Sequence, residues 1–212
     1  MLPFHAPSGT TAREYLTKVV PEAHRSLVPK DVDAHRFDVH VTLMGERTVG
    51  YAVTGSEIAV ESRARGDANL VVVFEPSTVE RFLADFSGPR RFVPRFEPRG
   101  AALVTDPRVL ARVTQVTGSL SAIIPDFDGG SVRLWIAAFG DKRGQFDPRD
   151  DEPDVTVSVP MKTFEALLGG GLTPEQALSA AESGVAVRGK RLVAMQLALA
   201  LAPFFPPPGG GA

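Results

Sequence analysis

The stretch DVTVSVPMKTFEALLGGGLTPEQALSAAESGVAVRGKRLVAMQLALALAPFF, residues 154–205, decides how the chain is read. Val155, Val157 and Val159 alternate with Thr156 and Ser158, the period of a half-buried strand. The run leads into PMKTFEALLGGG (160–171), which reads as a short helix that ends on glycine. Thr173-Pro174-Glu175 opens another helix, because proline at the first helical position gives up only an N–H without a helical partner. Val185–Gly189 alternates again as a short strand. Leu192–Phe205 is apolar on nearly all sides, with Gln196 inside it, so a helix there needs cover on more than one face. Its fourteen residues fall short of the roughly 20 that span a bilayer.

Working outward, FDPRDDEPD (146–154) is an acidic loop, SVRLWIAAFG (131–140) a strand and Asp126–Gly130 a turn. Asp106 caps a helix with Pro107 in its first turn and Val109, Leu110, Val113 and Val116 on its apolar face. The segment GPRRFVPRFEPRG (88–100) holds three prolines, which exclude a regular helix, so it reads as a connector. Before it, PSTVERFLADF (76–86) is a helix presenting Val79, Phe82, Leu83 and Phe86. Four β-rich runs between Arg36 and Glu75 are parted by Gly45-Glu46, Gly55-Ser56 and Gly66-Asp67, which predicts a four-strand meander. Residues 8–28 form a helix with a Thr11/Glu14 capping box, kinked or divided at Pro21.

Each half therefore runs helix, strands, then a strand leading into a proline-started helix that stops at glycine, which reads as an internal repeat. The expected organisation is a degenerate half over 1–100, a full unit over 101–205 and a tail over 206–212.

The pieces of 154–205, in their order and spacing, resemble the C-terminal half of the sterol carrier protein 2 family, with a looser match over 131–154. The resemblance implies an α+β fold: a curved, mainly antiparallel sheet covered by helices, with an apolar tunnel for a fatty acyl chain, acyl-CoA or sterol-like body. The tunnel would be lined by Trp135, Val157, Met161, Phe164, Leu167 and Leu168. Leu178, Leu192, Met195, Leu199 and Phe204 would complete it beneath the C-terminal helix. Arg188, Lys190 and Arg191 are the candidate contacts for an anionic head group. The first half lacks the Pro-Glu helix and the final apolar helix, so its own tunnel is in question.

Each buried methylene contributes about 0.8 kcal/mol, so a long acyl chain supplies on the order of 10 kcal/mol before ordering costs. Such a site needs no catalytic group, and the expectation is a binding or transfer protein, not an enzyme. Two other readings stand beside it: an interaction or scaffold module whose tunnel is filled by side chains, and an accessory domain presenting hydrophobic substrate to a separate enzyme.

Composition bounds the alternatives. Lys plus Arg number 23 against 25 Asp plus Glu, a net charge of −2, which argues against a nucleic-acid-gripping chain. Cys is absent, so disulfides, thiolate metal sites and a Cys nucleophile are excluded, in keeping with a cytoplasmic setting. Gly184–Arg191 approaches a phosphate-binding loop but has Arg191 where the magnesium-binding hydroxyl belongs. Asp126 and Asp128 begin like a calcium loop, yet Gly130, Ser131 and Ala137 occupy its later positions. His35, Asp38 and His40 are the one tight group of metal-type residues, too few in one direction for a site. No metal or other cofactor is expected. Arg90, Arg91, Arg95 and Arg99, interleaved with Phe92 and Phe96, offer transient contact with a membrane surface.

Overall fold

The computed structural model describes residues 9–32, 35–87, 104–127, 129–202 and 205, with 82–87 described by backbone alone. The connector arginines Arg90, Arg91, Arg95 and Arg99, Asp128, Phe204 and the 206–212 tail lie outside the described residues.

Eight strands form one sheet. They are β1 (Arg36–Leu43), β2 (Val49–Thr54), β3 (Glu57–Glu61), β4 (Leu70–Phe74), β5 (Thr117–Phe127), β6 (Gly130–Phe139), β7 (Val155–Ser158) and β8 (Ala186–Gly189), in the order β3-β2-β1-β4-β6-β5-β7-β8. Five neighbouring pairs are antiparallel; β1–β4 and β5–β7 are parallel. The chain is thus α+β with a mainly antiparallel sheet, and both halves contribute to it.

The expected four-strand meander ends after three strands. β4 crosses to the far side of β1 and pairs with it in parallel, Val39 opposite Leu70. Burial explains the choice. β4 reads Leu-Val-Val-Val-Phe and is covered on both faces, which only an interior position allows. β3, with Glu57 and Glu61 at its ends, stays at the edge. The second half repeats the move: β7 pairs in parallel with β5, as β4 does with β1. Strand triplets β2-β1-β4 and β6-β5-β7 therefore follow one another in the same sense along the sheet.

The interior strand β5 has no clear signal in the sequence, because Gly118, Ser119, Ser121 and Pro125 break its apolar alternation. It bulges between Ile124 and Phe127, where Asp126 takes the left-handed conformation at φ 62°.

The first helix runs from α1 (Ala12–Glu14) through a π-turn (Tyr15–Val19) into α2 (Val20–Leu27). Thr11 and Glu14 close the capping box as expected. Pro21 neither breaks nor ends the helix. It lacks an N–H and crowds the preceding turn, and the wide π-turn directly before it absorbs that misfit, with the Val20 N–H reaching the Tyr15 carbonyl. The remaining helices are α3 (Pro76–Ser87), α4 (Pro107–Val113), α5 (Met161–Leu168), α6 (Pro174–Ser179) and α7 (Arg191–Leu201). Asp106 caps α4 by accepting from the Arg108 N–H, and Thr173 and Gln176 form the capping box of α6.

One core spans the helix-covered face. Val39, Val41, Tyr51, Val53, Val72, Leu120 and Val157 meet Leu16, Val20, Val79, Leu110, Val113 and Leu197 from the helices. On the opposite face Ala68, Val71, Val73, Trp135 and Ala137 make a smaller cluster, roofed by Phe146 from the loop after β6. That loop is held by a backbone pair between Ala68 and Gly144 and by Arg143, 2.5 Å from Asp38.

The seam between the halves is β4–β6. Beside it the buried Thr78 hydroxyl donates to the Arg133 carbonyl at 2.8 Å and accepts from the Arg133 N–H at 2.9 Å. Thr78→Val leaves both backbone groups without that partner, a loss of about 1–3 kcal/mol. We expect urea unfolding of this variant to keep a single transition with unchanged slope and a lowered midpoint. Two separated transitions in the parent chain would contradict a shared sheet that unfolds as one unit.

Candidate functional site

The region singled out by the sequence lies where α5, α6 and α7 cover β5, β7 and β8. A helix turns 100° per residue, so α7 can press only part of its surface on the sheet. Val193, Ala194, Leu197 and Ala200 take that side and are buried. Leu192 and Leu199 fall on the outer side, 70% and 53% exposed, and Met195 between them is half-buried. The expectation that Leu192 and Leu199 face an interior tunnel is therefore corrected.

Trp135 is corrected as well. It sits opposite Val73 on β4, one residue out of phase with Leu134 and Ile136, and so belongs to the face away from the helices. The Arg133 guanidinium lies 5.6 Å from its ring centre.

Other expected residues are buried or half-buried in this region. Val157 is buried in the main core, and Leu167 and Leu168 are buried on α5. Leu178 is half-buried against the main core. Met161 and Phe164 pack on a satellite cluster of Ile124, Phe127 and Val132, with the Phe164 and Phe127 rings 6.2 Å apart. Val159 is packed against both the main core and this satellite, and among the described residues no other side chain is.

The space between α7 and the sheet is narrow at the N-terminal end of the helix. A Cβ on Gly118 would come within 2.9 Å of a Val193 methyl, so the helix rests directly on the β5 backbone there. Gly189, at φ 101°, lets the chain turn into α7 so tightly that a Cβ would meet the Asp154 carbonyl at 2.3 Å.

The three candidate head-group cations do not converge on one point. Arg188 is exposed on β8 opposite Thr156, pointing to the helix-free face. Arg191 donates to the Leu178 carbonyl, tying α7 to α6. Lys190 lies 2.6 Å from Asp154. Asp154, read from sequence as one member of a solvated acidic run, is a junction. Its carboxylate also accepts from the Ser119 N–H at 2.9 Å, its own N–H donates to the Ser119 hydroxyl, and its carbonyl accepts from the Lys190 N–H. The Lys190 ammonium, and next the Ser119 N–H, hold its carboxyl below the usual aspartate value. Its position one residue ahead of an alternating strand was the available signal.

Two surface clefts stand away from this region. One of about 390 Å³ opens between the first helix and the β1–β2 turn, and one of about 500 Å³ lies along β2 and β3 beside Arg25 and Arg36. Neither is lined by α7.

No protein-family model matches the chain, and no curated protein matches its sequence. Among solved structures it aligns with sterol carrier protein domain 2 of Helicoverpa armigera at 19% identity and TM-score 0.33, over 44% of this chain and 72% of that one. It also aligns with the apo form of sterol carrier protein 2 from Yarrowia lipolytica at 11% identity and TM-score 0.32, over 45% and 74%. A third is the palmitated sterol carrier protein 2 like 2 of Aedes aegypti, at 24% identity and TM-score 0.30, over 44% and 91%. At such scores the alignments name similar proteins and carry nothing further; the architecture rests on the sheet order above.

Asp154→Asn tests the junction. The depressed carboxyl contributes stability above the unfolded-state value, near 3.8, and loses it as pH falls through the lower folded value. Lys190 is largely exposed, and Asn keeps an oxygen that can accept from the Ser119 N–H, so what is lost is the carboxylate charge, at most about 1 kcal/mol. Urea unfolding should show the variant weaker by that amount from pH 7 to pH 5, with the gap closing toward pH 2.5.

Proposed function

We propose that the chain binds a slender apolar molecule, such as a fatty acyl chain, beneath α5 and α7, without chemistry by its own residues. The observation that carries this reading is the divided core at Val159. Among the described residues, the half-buried Val159 is the hydrophobic side chain packed against both the main core and the Ile124–Phe127–Val132 satellite. A hydrocarbon entering there separates two apolar bodies and leaves no polar group unpaired, and Met161 beside it adapts its shape easily. The residue pattern over 154–205, with its sterol-carrier-like order, supports the same ligand class.

A second reading is a closed interaction module. It is favoured by the direct seating of Val193 over Gly118 and by the outward Leu192 and Leu199.

Native mass spectrometry of the freshly purified full chain, followed by titration with a fluorescent fatty acid, separates the two. We expect lipid adducts and saturable uptake, reduced about tenfold by Val159→Phe, which fills the seam, and retained by Phe164→Ala, which widens it. Bound ligand at about 100 times its Kd should raise unfolding stability by about 2.7 kcal/mol. A clean mass with no saturable uptake would remove the lipid reading. In that case, a solution mass that falls in Leu192→Ser/Leu199→Ser would support the interaction module.

A further inference from the structure

We propose that the cleft between the first helix and the β1–β2 turn binds a small monoanion carrying an apolar stub, a carboxylate or a phosphate diester. It lies in the first half of the chain and is independent of the seam at Val159.

The cleft has a volume of about 390 Å³, within the roughly 300–1,000 Å³ usual for small-molecule sites. Its floor is apolar. Leu16, Leu43 and Val49 are 5%, 4% and 3% exposed, members of the main core whose edges reach the cleft. Its rim is polar: the charged Arg13 from α1, Arg47 from the β1–β2 turn and Glu46 beside it, and the neutral Ser62 after β3. Neither Arg13 nor Arg47 forms an ion pair among the described residues. The nearby Lys18, by contrast, is paired with Glu14 at 3.2 Å. Two guanidinium forks without carboxylate partners, set around an apolar floor, suit an anion that brings hydrocarbon with it.

The wall of this cleft is built and held. Leu16 lies in the π-turn, a form of helix that recurs at functional sites. The buried Tyr51 hydroxyl donates to the Leu16 carbonyl at 2.6 Å, and burial raises the Tyr51 pKa, so the hydroxyl keeps its proton and the bond. Thr17 donates to the Arg13 carbonyl at 2.8 Å, fixing the backbone from which Arg13 extends. Glu46 sets the charge limit. Against two cations it leaves a net single positive charge, which matches a monoanion and disfavours a dianion.

The full chain should be titrated with octanoate, methyl octyl phosphate, octanol and dimethyl phosphate, using calorimetry and backbone amide shifts. We expect octanoate and methyl octyl phosphate, both monoanions, to bind saturably, with shifts at Leu43 and Ser62. Octanol and dimethyl phosphate should each bind at least about tenfold more weakly, since each lacks one half of the recognised group. Arg13→Gln and Arg47→Gln should each weaken octanoate about tenfold, added salt should weaken it, and Glu46→Gln should tighten it. All three side chains are exposed, so these variants keep the fold.

Equal binding by the Arg13→Gln/Arg47→Gln double variant would overturn the proposal, as would octanol binding as tightly as octanoate. Dimethyl phosphate binding as tightly as methyl octyl phosphate would identify a free-anion site and overturn the apolar part. Octanoate shifts confined to Ile123 and Phe164 and abolished by Val159→Phe would place the ligand in the seam, refuting this cleft while leaving the earlier reading intact.

Discussion

Strand β4 is the constraint on which the architecture turns. Leu70 to Phe74 contains no polar side chain, and both of its faces are covered. Its backbone therefore needs hydrogen-bonded neighbours on both edges and apolar layers above and below. β1 supplies one edge and β6, from the other half of the chain, supplies the second. The helix layer covers one face, and the loop carrying Phe146 covers the other. Without β6, one edge and part of the Val71–Val73 face would lie open, so the first half is not a self-sufficient sheet.

At the far end the same economy of space governs α7. Its inner side uses valine, alanine and leucine, and at Gly118 the sheet has no side chain at all, so backbone and helix come close. Asp154 secures the entry to this helix by joining β5, β7 and Lys190. The interior is more open to reorganisation beneath α5, where aromatic and thioether side chains form a separate body around Phe127. Rigid seating and an adaptable neighbour thus lie side by side over the same strands.

Much of the fold is legible in the residues. Thr11/Glu14, Asp106-Pro107 and Thr173-Pro174 mark helix starts, and the structure places caps at each. The Val155–Ser158 strand, the helix after it and the Ala186–Gly189 strand follow from period and punctuation. Pairing is less legible, because alternation does not say which edge a strand will join. β4 was predicted beside β3 for that reason, and β5 hid behind its serines, Gly118 and Pro125. Within the candidate site, Val157, Leu167 and Leu168 were recoverable as buried positions. Trp135, Leu192 and Leu199 were misplaced, because hydrophobicity reveals a demand for cover but not the direction from which cover comes. Arg13, Arg47 and Ser62 lie far apart in sequence and meet only once the β1–β2 turn is beside the first helix, so no local pattern announces them.

The two triplets of strands succeed one another by translation, not by rotation, and that has a consequence for association. A row built by translation has unlike margins, and unlike margins can in principle take up further copies without limit. Here the outer margins are poor templates. One is a five-residue strand with glutamate at both ends, and the other is four residues long and finishes on Gly189. Borders this short, one of them closed by charge, are poor sites for edge-on pairing with a neighbouring molecule.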